Sequence, residues 1–503
     1  MSHVFAAGSW TEAPSNADVF HAWNPATGSP LDGEHPVSPW PQLDEMAAAG
    51  AEAAMAAAGT PPNAFGDLLD AFAARLDARR VEIASAAHLE TGLPLEPRLM
   101  QIEFDRMLAQ LRQAATAARD TGPDSWREPR IDSESGIQSD RGPLGGPVLT
   151  IGPNNFPLAF HGVSGGDAAA ALAAGNPIIA KGHPLHPATG RLLAECAAEA
   201  VRDAGVHPAT IQFFHHCTPE DGLRLVADPR VAAVGFTGSR SAGLAIKAAA
   251  DASGTPAFLE MSSLNPVFVL PGALRDGATE LAEAWAGSVT LGGGQFCTKP
   301  GLLIVIGDDG GAMVDAAVDV LAAAAPGILF SRAGVEALQA GISAVEAAGG
   351  RKRCGGGAAE PGFRHQATLL EVDGTTMLER FDDLARELFG PAALVVRARD
   401  LSEAASIAAR LDGQLTATIH TGTGDHEGWT TLAAHLRPRC GRLLENKMPT
   451  GVAVVPSMVH GGPYPATGHP GFTAVGMPTS VNRFSMARCW DGVAEDHRPE
   501  WLR

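Results

Sequence analysis

This sequence lacks closely paired cysteines and a start typical of a secreted protein. The 503 residues include six cysteines, at positions 196, 217, 297, 354, 440 and 489, and none of them forms a Cys-x-x-Cys pair. Scattered cysteines in a long chain favour reduced thiols over a disulfide framework or a zinc site, so no metal site is expected. The start of the chain has no basic stretch followed by an apolar run, which is not typical of a signal peptide. We therefore expect a cytoplasmic protein.

Positive charge and long apolar runs are also scarce. The chain has 37 Lys and Arg against 56 Asp and Glu, a formal net charge of −19. This balance argues against binding to nucleic acid or to an anionic membrane surface. The most apolar stretch, residues 314–329, is interrupted by Asp315 and Asp319 and broken by Pro326, so no membrane span is predicted. With 45% hydrophobic and 18% charged residues, the chain is predicted to be globular, with two or three folding units.

The spacing of apolar residues predicts an α/β protein. Residues 42–118 have helical periodicity, and residues 119–141 are polar and are predicted to be extended or a loop. Strands are then predicted at 146–151, 177–180, 210–214 and 231–236, and helices at 167–174, 188–204, 221–227 and 241–252. This alternation indicates a doubly wound parallel sheet with crossover helices. A second such region begins near residue 258, with strands at 267–270, 302–306, 392–396 and 415–420, whereas the Gly-rich, charged residues 345–363 are predicted to be a surface loop.

Two glycine-containing turns could carry chemistry. Gly292, Gly293 and Gly294 precede Cys297, and such a turn permits positive φ and could expose the thiol to a ligand. The alternative is a buried, inert cysteine, which is the usual state of a free thiol. In the second turn, Gly238 and Ser239 follow a predicted strand, and the helix that begins there could bind a phosphate through its N–H groups. The alternative is an ordinary turn with Ser239 or Ser241 as the helix cap, since neither a GxGxxG fingerprint nor a P-loop is present.

Three further motifs end predicted elements. Asn155 follows the 146–151 strand, where its amide could stabilise an oxyanion or could simply form a turn. Glu260 lies in an apolar run, which predicts a raised pKa and a general base, unless the side chain points to water at a strand edge. Glu387 begins a Glu-Leu-Phe-Gly-Pro sequence, which by itself is only a helix-to-strand turn.

Taken in order, these motifs resemble the aldehyde dehydrogenase superfamily. The matching residues are Asn155-Phe156-Pro157, Lys181, Phe236-Thr237-Gly238-Ser239, Glu260, Gly294-Gln295-x-Cys297 and Glu387-x-Phe389-Gly390-Pro391. Within the superfamily the sequence is most similar to the NADP-accepting α-ketoglutarate semialdehyde and fatty aldehyde dehydrogenase branch. That similarity is carried by Gly165-Gly166-Asp167, Lys181-Gly182-His183-Pro184, Glu260-Met261-Ser262-Ser263-Leu264-Asn265-Pro266 and the stretch from Met458 to Thr467.

The resemblance implies a role for each matched residue. Cys297 would attack the aldehyde carbon, and Asn155 with the Cys297 backbone N–H would hold the oxyanion. Glu260 would activate water to hydrolyse the thioester, which favours hydrolysis over transfer to coenzyme A. For the nicotinamide cofactor, Gly238 and Ser239 would hold the pyrophosphate, Lys181 and Glu387 the riboses, and Phe389 would pack near the nicotinamide.

The sequence departs from many NAD-dependent relatives at the adenine end. Where those relatives have a glutamate three residues after the lysine, this chain has Pro184. Without that acid a ribose phosphate is not repelled, so we expect NADP to be used at least as well as NAD. Arg224, Arg240 and His216 are candidates for the cation that meets the phosphate. The turn that contains His215 and His216 is unlike the usual glycine-containing turn, and no third residue suggests a metal there.

The resemblance leaves the aldehyde open. Arg106 falls where this branch often has an arginine near the substrate tunnel, so it could bind a distal carboxylate, or it could be a solvated helix residue. A semialdehyde acid is the first expectation, and a medium-chain or biosynthetic aldehyde is the second. The tunnel would be lined by Phe156, Phe160, Phe296, His460 and Tyr464.

The family architecture implies two doubly wound α/β domains and a small β arm. The cofactor domain would comprise residues 1–124 and 142–258, and the catalytic domain residues 259–460. The arm and tail, residues 125–141 and 480–503, would build a homodimer or homotetramer by adding strands to a neighbour's sheet. Two other functions stay open at this point: a thioesterase or esterase without redox chemistry, and a degenerate, non-catalytic member of the family.

Overall fold

Two seven-stranded sheets organise the protein, as seen in a computed structural model that describes residues 3–14, 17–307 and 310–503. In the first half of the chain the strands are β1 (His3–Ala6), β2 (Ser9–Glu12), β3 (Val19–Phe20), β4 (Trp23–Asn24), β5 (Ser29–Pro30), β6 (His35–Pro36), β7 (Arg130–Ile131), β8 (Gln138–Pro143), β9 (Val148–Ile151), β10 (Ile178–Lys181), β11 (Ile211–Phe214), β12 (Ala233–Thr237) and β13 (Ala257–Glu260). The helices there are α1 (Trp40–Ala57), α2 (Pro62–Ala78), α3 (Arg80–Thr91), α4 (Phe104–Arg119), α5 (Gly166–Ala173), α6 (Pro187–Ala204), α7 (Pro219–Val226) and α8 (Arg240–Ser253), with a π-helical segment at Leu95–Glu103.

The second half of the chain continues the same alternation. Its strands are β14 (Val267–Val269), β15 (Leu302–Ile306), β16 (Gly327–Ile328), β17 (Arg351–Cys354), β18 (Ala358–Ala359), β19 (Arg364–His365), β20 (Thr368–Asp373), β21 (Ala392–Ala398), β22 (Gln414–His420), β23 (Cys440–Glu445) and β24 (Ser485–Trp490). Its helices are α9 (Pro271–Thr290), α10 (Gly311–Ala323), α11 (Arg332–Ala347), α12 (Gly374–Glu379), α13 (Phe381–Leu384), α14 (Leu401–Arg410) and α15 (His426–Leu436).

The first large sheet has the order β13-β12-β9-β10-β11-β1-β2. The strands from β13 to β11 are parallel, and β1 and β2 extend that sheet as an antiparallel edge. The central strands are apolar on both faces because helices cover both sides of a parallel sheet. Helix α5 shows how closely they pack, since its alanines combine high helix propensity with side chains small enough to be buried completely. The predicted doubly wound sheet is confirmed.

The second large sheet has the order β17-β20-β21-β15-β14-β22-β23. The four strands predicted in this region correspond to β14, β15, β21 and β22, and they pair in parallel. The prediction of a surface loop at residues 345–363 was wrong, because β17 forms there and pairs antiparallel with β20. The charged side chains are tolerated since β17 is an edge strand, where Arg351 and Arg353 contact Glu371 of β20.

A small three-stranded sheet has the order β24-β8-β7. It joins β7 and β8, from the polar segment just before β9, to β24, the last strand of the chain. Ser485 lies opposite Pro143, and Trp490 lies opposite Gln138. Asp140, whose side chain is buried, accepts hydrogen bonds at 3.0 Å from the indole nitrogens of Trp490 and Trp501. Among the described residues, no helix is both long and apolar enough to cross a lipid bilayer.

Candidate active site

A cleft opens where the first sheet ends and the Cys297 segment begins. Its walls come from the carboxyl ends of β9, β10, β12 and β13 and from the turns that carry Cys297 and Phe389. Ligands of doubly wound folds bind at this edge of the sheet. The five residues predicted to hold the cofactor all line the cleft: Lys181, Gly238, Ser239, Glu387 and Phe389.

The β12–α8 turn has the features of a phosphate site. The Ser239 hydroxyl caps α8 by accepting a hydrogen bond from the Ala242 N–H at 3.3 Å, which confirms the predicted cap. The start of this 14-residue helix presents N–H groups and the positive end of its dipole to the cleft. Burial lowers the pKa of Lys181, whose ammonium donates to the Gly182 carbonyl at 3.1 Å. These donors suit the phosphates and ribose hydroxyls of a dinucleotide.

The adenine end differs from the sequence expectation. Arg224, Arg240 and His216 do not line the cleft, whereas His183 does. The Arg224 guanidinium carbon lies 3.7 Å from the centroid of the Trp40 ring, so stacking on the indole already engages this cation.

Backbone geometry presents the Cys297 thiol. Gly292, Gly293 and Gly294 have φ values of 59°, 66° and 69°, which confirms the predicted positive φ. At Gly294 a side chain is also excluded by contact, because a Cβ atom would lie 2.1 Å from the Gly390 carbonyl oxygen. The segment therefore passes directly over the turn that carries Phe389, and Cys297 faces both the cleft and a second cavity.

Two residues that sequence reasoning missed hold this segment in place. The Asn265 amide donates to the carbonyls of Cys297 at 2.8 Å and Lys299 at 2.9 Å. The buried Lys299 ammonium donates to the carbonyls of Leu388, Gly390 and Ala392. Burial lowers the pKa of Lys299 to about 8. Asn265 lies in a stretch that resembles the family, but the sequence assigned neither residue a role, because their partners are backbone atoms brought close only by the fold.

Asn155 lies beside the segment that carries Cys297. Its side chain is buried, and its amide nitrogen donates to the Gln295 carbonyl at 2.8 Å. That nitrogen carries a second hydrogen, which is available to a ligand in the cleft. The position agrees with the oxyanion role that the sequence suggests.

The predicted raised pKa of Glu260 was wrong. Burial, the largest effect, would raise this pKa, but the neighbouring polar and charged groups, chiefly His460, together lower it overall. The His460 Nε2 atom lies 3.0 Å from Glu260 Oε1 and 3.7 Å from Cys297 Sγ. Glu260 is thus a carboxylate at neutral pH and can accept a proton. His460 was expected to line the substrate tunnel. It also contacts Glu260, 200 residues away in sequence, and Cys297, 163 residues away.

The Cys297 thiol is strongly biased towards its neutral form. Burial raises the pKa of Cys297 well above its usual value, and the negative charge of the neighbouring Glu260 raises it further. Arg106 acts in the opposite direction but does not compensate for these effects.

A second cavity, of about 490 Å³, lies on the other side of Cys297 and is mainly apolar. Five of the six residues predicted to contact substrate line it: Arg106, Phe156, Phe160, Phe296 and His460. Tyr464 does not, because its side chain is 52% exposed on a loop outside this cavity. The three phenylalanine rings contact one another edge to face, at centroid distances of 5.2 and 5.4 Å, and form one wall.

Two arginines reach this cavity, and they differ in their partners. Arg98 forms a salt bridge with the buried Glu103 and stacks on Phe156. Arg106 donates to Gln110 at 3.1 Å and to the Val452 carbonyl at 3.0 Å, but its Nη2 atom is buried without a hydrogen-bond acceptor among the described residues. Burial lowers the pKa of Arg106. No carboxylate within salt-bridge distance neutralises Arg106 in the part of the chain that the structure describes.

Comparison with known proteins agrees with this geometry. Residues 10–467 match the model of the aldehyde dehydrogenase family. The chain is 36% identical to alpha-ketoglutaric semialdehyde dehydrogenase 2 of Azospirillum brasilense, over 97% of this chain and 94% of the relative. It is 34% identical to the alpha-ketoglutaric semialdehyde dehydrogenase of Acinetobacter baylyi, over 92% and 88% of the two chains.

Solved structures show the same fold. A complex of aldehyde dehydrogenase C from Pseudomonas syringae with NAD+ and octanal superposes with a TM-score of 0.82 at 22% identity, covering 98% of this chain and 97% of that one. Lactaldehyde dehydrogenase from Escherichia coli gives a TM-score of 0.83 at 22% identity, covering 97% and 98%. With a cofactor cleft and an apolar cavity meeting at one cysteine, and with a family match that spans most of its length, the chain belongs to the aldehyde dehydrogenase family and oxidises aldehydes with NAD(P).

Proposed function

We propose that this enzyme oxidises an aldehyde that carries a distal carboxylate, a semialdehyde acid, to the corresponding dicarboxylic acid. The observation that supports this substrate class is Arg106, which lines the cavity and has no carboxylate partner among the described residues, and whose buried Nη2 atom has no hydrogen-bond acceptor there. A buried charge without a partner is costly, and a bidentate carboxylate would neutralise it. The relatives from Azospirillum brasilense and Acinetobacter baylyi are both named for a semialdehyde of this class.

The proposed chemistry follows from the atoms around Cys297. The Cys297 thiol releases its proton to water, and the resulting thiolate adds to the carbonyl carbon to form a thiohemiacetal, whose oxyanion is held by the free Asn155 hydrogen and the Cys297 backbone N–H. NAD(P)+ bound in the cleft supplies the hydride acceptor. Loss of hydride from the carbon leaves a thioester on Cys297. Glu260 then takes a proton from water, which attacks the thioester and releases the acid and the thiol.

The test of this proposal separates catalysis from substrate choice. Cys297→Ser should abolish aldehyde-dependent NADPH formation, whereas Cys354→Ser, at a half-buried cysteine of β17, should leave it unchanged. A redox-independent esterase would give no nicotinamide absorbance change even in the unmodified enzyme.

For substrate choice, Arg106→Gln should raise KM for a semialdehyde acid by roughly 10- to 100-fold, the worth of a hydrogen bond to a charged group. KM for a plain aldehyde of the same length should stay within about twofold, because an apolar tail makes no such bond. Arg112→Gln, at an exposed position of the same helix, is the matched control. Equal changes for both substrates would contradict carboxylate recognition by Arg106.

We also propose that NADP is accepted at least as well as NAD. Pro184 follows β10 at the position where an acid would repel the ribose phosphate, and His183 lines the cleft beside it. Introducing that acid with Pro184→Glu should lower kcat/KM for NADP at least tenfold and leave NAD much less affected, because only NADP carries the added charge. Steady-state kinetics with both cofactors measures this. A large preference for NAD in the unmodified enzyme would contradict the proposal.

The domain division and assembly remain part of this proposal. Residues 1–124 and 142–258 would form the cofactor domain and residues 259–460 the catalytic domain, in line with the two large sheets. The arm, residues 125–141 with 480–503, would assemble a homodimer or homotetramer. The six free cysteines suit a reducing compartment such as the cytoplasm.

A further inference from the structure

Three metal-binding groups converge between the cleft and the substrate cavity. Cys297 Sγ lies 3.7 Å from His460 Nε2, and Nε2 lies 3.0 Å from Glu260 Oε1. One ligand atom from each residue falls within 4.8 Å of the other two. Thiolate, imidazole and carboxylate are the protein ligands of Zn²⁺, and in a tetrahedral site such atoms lie roughly 3.3–3.8 Å apart. Small side-chain rotations would bring all three into that range.

The orientation of His460 favours a shared cation over a proton relay. In a Cys-His-acid relay, one ring nitrogen faces the thiol and the other faces the carboxylate. Here the same Nε2 atom faces both Cys297 and Glu260. A single ring nitrogen cannot donate to the carboxylate and accept from the thiol at once. The three ligand atoms lie within 4.8 Å of one another, which is close enough for one metal ion to bind all three after small side-chain rotations.

A second observation points to a ligand at the same place. Glu260 is 4% exposed, and its Oε2 atom has no hydrogen-bond partner among the described residues. A buried carboxylate oxygen without a donor is costly. A cation between Glu260 and Cys297 would satisfy it, either by bidentate coordination or through a bound water.

The charges balance when a divalent cation is present. Without one, a Cys297 thiolate beside the Glu260 carboxylate would place two like charges close together, since one ligand atom of each lies within 4.8 Å of the other. A divalent cation displaces the thiol proton, forms a metal–sulfur bond and brings the sum of thiolate, carboxylate and metal to zero.

We propose that Cys297, His460 and Glu260 bind one zinc-class divalent cation in place of aldehyde and so switch the enzyme off reversibly. The fourth coordination position would face the substrate cavity, which Cys297 and His460 both line. The metal would occupy the nucleophile and the proton acceptor together, so neither could act on substrate. This differs from the sequence expectation that the chain has no metal site, because the three ligands are far apart in sequence and form no spacing motif.

The experiment measures metal binding without turnover. Equilibrium dialysis of the metal-free protein against buffered Zn²⁺ should show one site per chain. Cys297→Ser, His460→Gln and Glu260→Gln should each weaken that site at least ~tenfold, since each removes one ligand. Cys489→Ser and His426→Gln are matched controls, because both residues are exposed and lie outside the cluster. These variants should bind Zn²⁺ as tightly as the unmodified chain does.

A spectroscopic probe identifies the sulfur ligand. Cd²⁺ should produce a thiolate-to-metal charge-transfer band that is absent from Cys297→Ser, and Zn²⁺ should slow the alkylation of Cys297 by iodoacetamide. Circular dichroism of each variant checks that the fold is retained. If a folded Cys297→Ser or His460→Gln protein binds Zn²⁺ as tightly as the unmodified chain, the site lies elsewhere and the proposal is overturned.

The inference does not depend on the proposed substrate. If the unmodified protein oxidises aldehyde normally but binds no Zn²⁺, the proposed metal site is contradicted and the proposed function is not. Zinc binding at these ligands in a protein that oxidises no aldehyde would contradict only the proposed function.

Discussion

At the residue scale, the protonation of Cys297 depends mainly on its surroundings. Burial and the Glu260 carboxylate both raise the pKa of Cys297, so the thiol is neutral at physiological pH when the cleft holds no cofactor. A positively charged nicotinamide ring beside the sulfur would favour the thiolate. In the free enzyme Glu260 would thus keep the Cys297 thiol protonated and unreactive. In the cofactor complex the thiol would become the reactive thiolate.

This arrangement predicts how Glu260→Gln changes thiol reactivity. Removing the like charge should lower the pKa of Cys297 and move the alkylation rate-against-pH curve to lower pH. The neutral-pH rate should rise by about tenfold for each unit of pKa removed. Iodoacetamide labelling of the cofactor-free protein, read at Cys297 by mass spectrometry, measures the change.

Glu387→Gln is the control for that experiment, because Glu387 is a second acidic side chain of the cleft, half-buried, and raises the pKa of Cys297 less than Glu260 does. It should shift the curve less. Slower alkylation in Glu260→Gln would mean that Glu260 acts as a base towards the thiol.

At the element scale, the turn between α13 and β21 is held by one buried side chain. Lys299 binds three carbonyls of this turn, which carries Phe389 into the cleft. The ammonium therefore links the segment that carries Cys297 to a wall of the cleft.

Lys299→Gln should destabilise the protein and weaken cofactor binding together. An amide can satisfy at most two of the three carbonyls, and each one left without a donor costs about 1–3 kcal/mol. We expect a lower urea midpoint and a higher KM for NADP. Lys352→Gln, at a lysine on the edge strand β17 that pairs with Glu346, is the control. An unchanged midpoint in Lys299→Gln would show that water replaces the ammonium.

At the scale of the whole molecule, the β24-β8-β7 sheet has free edges. Strand β24 pairs with β8 on one side only, and Met486 within it is 47% exposed. Ile131 of β7 is 58% exposed at the opposite edge. An edge strand with unpaired N–H and C=O groups can pair with a strand of another copy.

Assembly through the arm should therefore be sensitive to charge at β24. Met486→Asp should lower the molar mass measured by light scattering after size exclusion, because a buried carboxylate opposes strand addition. Met55→Asp, at a methionine of α1 that is 71% exposed, is the matched control. A monomeric unmodified protein would exclude this mode of assembly.

The spacing of apolar residues was enough to predict the doubly wound sheets, and the order of the motifs along the chain pointed to the cleft and to Cys297. Strands of parallel sheets are apolar on both faces, and turns with positive φ need glycine at particular positions. Both features can therefore be predicted from a short stretch of sequence. The edge strand β17 was missed because its charged sequence, Arg351 to Cys354, is tolerated only at an edge, and no local pattern marks an edge.

Only the tertiary structure decided the chemistry around the nucleophile. His460 lies 200 residues from Glu260 in sequence but 3.0 Å away in space, and this contact is the main interaction that lowers the Glu260 pKa against the effect of burial. The free Nη2 atom of Arg106 and the outward position of Tyr464 are likewise invisible in the sequence. The sequence determined which groups are present and which elements carry them. Electrostatic effects depend on distance and burial, and these are set only when the two sheets pack together.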